Sequence, residues 1–326
     1  FLAHPRTSPY DFVLMARPLE PTSRTDSLGR VTWVVVGLGL GSFGCSVATA
    51  EEVATTERGS TQAVLRIQRE ELPDRTARGD ALAGFIRLPA SADRARTLRL
   101  AGLSSDFPPP GQCRERDGAD ATLSVSELGR IDLLDADDVE LKIGERDHEL
   151  APHAFPTVTD WIRGVVYTSR DRGAEHLTPG EVFRFVARSV EGTGDVEVVS
   201  ASPPGLLDVT LAGQAWDEVE SVEWRPFLDV TWAPAAARET TPFDVVTVSV
   251  ETERTSWSCS FLDVEGAGSV PLRVARADGE RDVIAAGEEA RVSVHRVRES
   301  ASQLSSDVDL LEVRFDFSVV TRLRFD

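Results

Sequence analysis

From residue 61 onward, apolar and polar residues alternate with a period of two over short runs bounded by Gly, Pro, Asp and Ser, the pattern of half-buried β-strands. The runs "AVLRIQ" (63 to 68), "LAGFIRL" (82 to 88), "RTLRLAG" (96 to 102), "VELKIG" (139 to 144), "IRGVVYTS" (162 to 169), "VFRFVARS" (182 to 189) and "DVEVVS" (195 to 200) each predict a strand. The series continues through "LDVTLAG" (207 to 213), "FLDVTWA" (227 to 233), "DVVTVSVE" (244 to 251), "SWSCSFLD" (256 to 263), "ARVSVHRV" (290 to 297) and "LEVRFDFSVV" (311 to 320). Between them lie "PPPG" (108 to 111), "TPGE" (178 to 181) and "SPPG" (202 to 205), where the fixed φ of Pro and the permissive φ of Gly favour turns. No sustained helical stripe accompanies them, and the charged stretches near 70 to 80 and 265 to 288 have room for about one turn of helix.

Many short strands without interposed helices exclude a parallel doubly wound sheet, whose connections each need a crossover of about a dozen residues or more. The expected class is all-β: two antiparallel, immunoglobulin-like β-sandwich domains following an N-terminal leader. Glycines in "SVEGTGDV" (189 to 196) and the pair Pro203 and Pro204 place a boundary near 190 to 206. The division is then a leader over 1–50, a first sandwich over 51–195 and a second over 196–326. Trp232, Trp257 and Cys259 fall in alternating strands, where a tryptophan beside a cysteine suits a sandwich core.

One motif points elsewhere. Gly39-Leu40-Gly41-Ser42-Phe43-Gly44 matches the G-x-G-x-x-G of a dinucleotide-binding loop. That loop works only between a strand and a helix inside an α/β unit, and the surrounding chain has no such units. Val31 to Gly44 instead forms an apolar stretch of 14 residues, preceded by Arg17, Arg24 and Arg30 and followed by Ala48-Thr49-Ala50. A basic start, an apolar centre and a small-residue ending are the parts of a secretory leader, and the stretch is shorter than the roughly 20 residues that span a bilayer. Met15, the only methionine, is the expected start, with Phe1 to Leu14 upstream of it. Gly44 before Cys45 also fits a loose lipoprotein signal, although Ser42 and Phe43 depart from the usual residues; lipidation at Cys45 and cleavage after Ala50 both remain open, and both are export. Lipidation would anchor the protein without a spanning helix.

Setting Cys45 aside leaves Cys113 and Cys259, an even number for an oxidising compartment. They are either bridged, closing a loop that stabilises by about 4 to 5 kcal/mol in the chain-entropy model, or packed separately as small apolar residues.

The net charge of −19 repels phosphate backbones, and no basic cluster interleaved with aromatics appears, so nucleic acid is not an expected partner. Lys142 is the single lysine and asparagine is absent, which we read as genome bias. Contact with a membrane is expected only through the lipid anchor.

In residues 113 to 298, "LTPGEVFRFVARSVEGTGDV", "LDVTWAPA", "DVVTVSVE", "WSCSFLDVEGAGSVPL" and "ARVSVHRV" follow one another. This order resembles a group of uncharacterised bacterial lipoproteins with β-sandwich domains, in which a Thr-Trp strand end is followed by a cysteine-bearing strand, an acidic turn and a Val-Pro step. The resemblance implies a β-sandwich fold and export, and no activity.

"HELAPH" (148 to 153) resembles a zinc helix, but His148 and His153 are five apart with Pro152 between them, whereas H-E-x-x-H needs a spacing of four on one helical face. His176 and His295 stand as isolated polar positions, and the G-x-S-x-G elbow of serine hydrolases is absent. Asp135, Asp137 and Asp138 in "LLDADDVE" are candidate oxygen ligands for a weak calcium site, with a solvated turn as the alternative; no cofactor is expected. Three function classes follow: an adhesion, interaction or structural protein of the cell envelope, whose partner is an envelope or extracellular protein or a glycan; a carbohydrate-binding module using Trp161, Tyr167, Trp216 and Trp224; and a hydrolase with a site assembled from distant residues.

Overall fold

The computed structural model describes residues 60–88, 92–104, 107–116, 131–154, 162–169, 177–235, 244–276, 279–302 and 308–326. The leader, Cys45 and Ala50 lie outside these residues. Thr55–Asp326 clusters as one compact unit.

In chain order, β1 (Ser60–Glu71) and β2 (Ala77–Leu88) form a hairpin, followed by helix α1 (Arg94–Leu100) and β3 (Cys113–Arg116). Then come β4 (Ile131–Leu133), β5 (Asp138–Ile143), β6 (Arg146–Glu149), β7 (Ala151–Ala154), β8 (Ile162–Arg163) and β9 (Val165–Thr168). The hairpin of β10 (Val182–Val190) and β11 (Gly194–Ala201) precedes β12 (Thr210–Leu211), β13 (Gln214–Ala215), β14 (Ser221–Val222) and β15 (Phe227–Thr231). The last part contains β16 (Val245–Glu251), β17 (Ser256–Leu262), β18 (Ala267–Pro271), β19 (Arg273–Arg276), β20 (Gly279–Asp282), β21 (Glu289–Ser302) and β22 (Leu310–Phe325).

The fold is an all-β sandwich built on one 12-stranded sheet, whose main path runs β3-β17-β16-β21-β22-β1-β2-β4-β8. Two four-stranded sheets, β11-β10-β5-β6 and β13-β12-β15-β18, pack against its inner face. The first core joins Leu65, Ile67, Phe85, Phe315 and Phe317 of the large sheet to Leu141, Phe183 and Phe185 of the first small sheet. The second joins Val248, Val294, Leu323 and Phe325 to Leu211, Val230 and Val270. Each such fully buried side chain contributes about 1.5 to 3 kcal/mol of transfer free energy.

β21 has 14 residues and β22 has 16, against the five or six usual for a strand. Their length is used by both cores: alternate residues from Leu311 to Phe317 enter the first, and Val319, Leu323 and Phe325 enter the second. β1 pairs with β22 in parallel from Gln62↔Leu310 to Glu71↔Val319, so the first and last described strands are neighbours at the centre of the sheet. The expected purely antiparallel pairing therefore gives way to a mixed sheet. A parallel pair needs a long connection, and here nearly the whole described chain serves as that connection.

A third core, on the outer face of the sheet, explains a second difference. "RTLRLAG", expected as a strand, is instead α1 and the turn after it. The carboxylate of Asp93 accepts the Arg96 N–H at 3.1 Å and caps the helix. Thr97, Leu98 and Ala101 are spaced to face one side and are buried with Leu103 against Val64, Ile86 and Leu88. Gly84 on β2 permits this contact, because a Cβ there would lie 2.8 Å from Leu103 Cδ1.

The small sheets are joined through residues 202–209, which meet two buried arginines on the inner face of β21. Arg296 donates to Asp263 Oδ1 from Nε (3.0 Å) and Nη2 (2.8 Å), to the Gly205 carbonyl (2.7 Å) and to the Ala233 carbonyl (2.5 Å). Arg298 pairs with both oxygens of Asp244 at 2.6 and 2.7 Å and donates to the carbonyls of Ala201 and Ser202. The Asp263 N–H donates to the Asp244 carbonyl, linking the two ion pairs. Where the apolar lining of β21 stops, buried charge ties the strand to the connecting backbone, as a buried guanidinium requires.

Candidate functional site

The outer face of the large sheet carries a polar row across its middle. Ser293 and His295 alternate on β21 and both point away from the second core, whose inner positions on that strand are Val292 and Val294. His295 Nδ1 lies 2.8 Å from Asp316 Oδ1 on β22, and His295 Nε2 lies 2.9 Å from Ser293 Oγ. Gln68 of β1 donates to the other Asp316 oxygen at 3.5 Å. On the adjoining strands, the hydroxyls of Thr247 and Ser260 are 2.8 Å apart and those of Ser249 and Ser258 are 2.7 Å apart. Burial alone would raise the Asp316 pKa, but the charge and hydrogen bond of His295, with Arg314 and Arg66 nearby, bring it below the usual aspartate value.

The chain Ser293–His295–Asp316 uses the ring nitrogens as a hydrolytic triad does. Its surroundings differ from one. Ser293 is 1% exposed, and it stands in register with Ser249 on one side and Val320 on the other, within two antiparallel ladders. Acyl transfer needs donors directed at a developing oxyanion and a nucleophile open to substrate. A cavity of about 190 Å³ reaches His295, Asp316, Ser318 and Asp80. The hydrogen bonds of the row link β21, β22 and β1.

Residues 103–104 and 107–112 lie over this face as a strap. They run from Leu103, packed over β1 and β2, past Phe107, whose ring lies 5.0 Å from the His295 ring and 5.1 Å from the Arg314 guanidinium. The strap ends at β3, where Cys113 stands directly opposite Cys259 of β17 and the two form a disulfide, S–S 2.03 Å. Of the two alternatives for these cysteines, the structure has the bridge. A cavity of about 360 Å³ separates the strap from the sheet.

The acidic loop does not gather into a metal site. Among the described residues no group of three His, Cys, Asp or Glu side chains converges to hold an ion. Asp135 instead accepts a hydrogen bond from the Tyr167 hydroxyl at 3.1 Å, and that oxygen accepts the Ala136 N–H at 2.7 Å. Asp138 lies within the β5–β10 ladder opposite Arg188, and Asp137 is exposed. Burial, opposed by a backbone hydrogen bond from Ala136 and reinforced by Asp135, pushes the Tyr167 hydroxyl up to about 12.

The aromatic candidates for a glycan surface have other uses. Tyr167 and Trp216 are buried in the two cores. Trp224 is half-buried, donates its indole N–H to the Ile284 carbonyl at 2.8 Å and lies under Arg273 at 4.7 Å. Trp161 and His176 lie outside the described residues. His148 and His153 sit on β6 and β7, on strands and not on a helix. His295, read from the sequence as isolated, is paired by the fold with Asp316 and Ser293. The available signal was Ser-x-His in a strand, with Asp316 between Phe315 and Phe317 in the run "VRFDFSVV".

No family model and no curated protein matches the chain. Among solved structures, the FN1–FN3 domains of chicken CNTN1 are similar at 11% identity, covering 75% of this chain and 78% of that one, with a TM-score of 0.21. The Mu homology domain of Fcho1 from Danio rerio, solved with an Eps15 peptide, is similar at 13% identity, covering 82% and 98%, with a TM-score of 0.24. At these scores neither likeness carries an argument about fold or function.

Proposed function

We propose that this chain is an exported β-sandwich protein of the cell envelope, delivered by the leader ending near Ala50 and either anchored through a lipid on Cys45 or released. Its role is binding or structural and not catalytic, with an envelope or extracellular protein or a glycan as partner. Its two cores act as immunoglobulin-like modules on a shared sheet. The observation that carries the reading is the disulfide between Cys113 and Cys259, since such bonds persist mainly in oxidising compartments. Support for a non-catalytic role comes from the enclosure of Ser293, 1% exposed, which keeps the hydroxyl of the triad-like arrangement from solvent.

Fractionation and intact mass of the full chain expressed in a bacterium test this. A mature terminus at acylated Cys45 or at Glu51, with no free thiol at 113 or 259, is the expected result. An unprocessed chain in the cytosol with reduced cysteines refutes it. A second reading, hydrolysis, is favoured by the Ser293–His295–Asp316 geometry alone. Labelling of Ser293 by a fluorophosphonate, abolished in Ser293→Ala, would establish that reading and displace the first.

A further inference from the structure

We infer that the cavity between the strap and the sheet is a binding site for a small monocarboxylate with a planar apolar body. Its volume, about 360 Å³, lies within the range of small-molecule sites. Its walls are mixed: Phe107 and Pro108 to Pro110 from the strap and Val245 and Val297 from the sheet give the apolar part, beside the hydroxyls of Ser104 and Thr247 and the carboxylates of Glu299 and Glu312. One cation lies at its floor. Arg314 is 5% exposed, yet among the described residues its Nε has no hydrogen-bond partner.

The remaining contacts of Arg314 define what can bind. Nη1 donates to Glu299, whose side chain is 53% exposed and free to turn to water. The guanidinium carbon lies 5.1 Å from the centre of the Phe107 ring, within cation–π distance. A buried donor without an acceptor is costly, and a guanidinium binds carboxylate through two parallel N–H groups. A carboxylate entering beside Phe107 would accept from Nε and from a terminal nitrogen, displacing Glu299, while its apolar body filled the space between the prolines and the valines. A dianion suits the site less: Glu299 and Glu312 line the same cavity, and Arg314 is the only cation among its lining residues. The inference stands whether or not the protein is exported.

Titration of the full chain with benzoate tests it, followed by calorimetry or ligand-observed NMR in about 1 M NaCl, where the Debye length is about 3 Å and the net charge of the protein is screened. Benzamide, which has the same body without the charge, is expected to bind at least tenfold more weakly, as is acetate, which has the charge without the body. Arg314→Lys, which retains charge and loses the fork, should weaken benzoate at least tenfold. Because variants at this buried position can fail to fold, the half-exposed Glu299 supplies a second test: Glu299→Gln removes the competing carboxylate and should tighten benzoate several-fold. No saturable binding of benzoate, equal binding of benzamide, or an unchanged affinity in Glu299→Gln would each overturn the proposal.

Discussion

Arg296→Met is the most direct probe of what joins the two cores. The substitution keeps most of the side-chain volume and removes five donated hydrogen bonds, two to Asp263 and three to the carbonyls of Pro204, Gly205 and Ala233. Asp263, 2% exposed, is left with the Ala235 N–H on its other oxygen and a buried charge that nothing balances. Breaking a buried pair from one side costs about 3 to 5 kcal/mol. At roughly 2 to 4 °C per kcal/mol for a chain of this size, the midpoint should fall by about 6 to 20 °C. Trp232 reports the site, because its indole N–H donates to the Asp263 carbonyl at 2.9 Å. Urea unfolding followed by tryptophan fluorescence would therefore register the loss locally. The double variant with Asp263→Ala should lose less than the sum of the two single variants, by about 0.5 to 3 kcal/mol, since the second change removes the stranded charge. A midpoint within about 2 °C of the parent, or strictly additive losses, would show that these arginines do not secure the junction.

Three further outcomes are expected. Reduction of the Cys113–Cys259 bond, or Cys113→Ser, should cost about 4 to 5 kcal/mol in the chain-entropy model and increase amide exchange at Gly111 and Gln112, whose N–H groups are hydrogen-bonded; unchanged exchange there would show that the disulfide does not hold the strap. Asp316→Asn should flatten acid unfolding: the folded-state pKa of Asp316 lies below the ordinary value of 3.8, so its contribution is present above that value and disappears as the pH falls through the folded pKa, and thermal midpoints between about pH 5 and 2 should differ less in the variant. Gly164→Ala should be severely destabilising in a thermal melt, because Gly164 has φ of 111° and a Cβ would lie 2.1 Å from the Leu133 carbonyl oxygen, whereas Gly213→Ala, also at positive φ but in open space, should lose less.

The alternation of apolar and polar residues was sufficient to locate β1, β2, β5, β10, β11, β15, β16, β17, β21 and β22, because a strand with one buried face writes its period of two directly into the chain. It failed at "RTLRLAG", where Leu98 and Leu100 fit a strand's period of two while Leu98 and Ala101 fit a helical spacing, and the deciding factor was the Asp93 cap together with the apolar outer face of β1 and β2. It also missed β3, β6 and β7, whose residues are largely exposed and so carry no periodic signal.

What the amino-acid order determined by itself is local: strand positions, turn positions, acidic charge and an even pair of cysteines beyond Cys45. Only the tertiary structure decided that β1 lies beside β22, that two cores share one sheet, that Cys113 faces Cys259, and that His295 meets Asp316. The reason is range. Periodicity records which face of a strand is buried, whereas pairing between strands some 250 residues apart depends on how the whole set of faces can be covered at once, a condition that no short stretch of sequence contains.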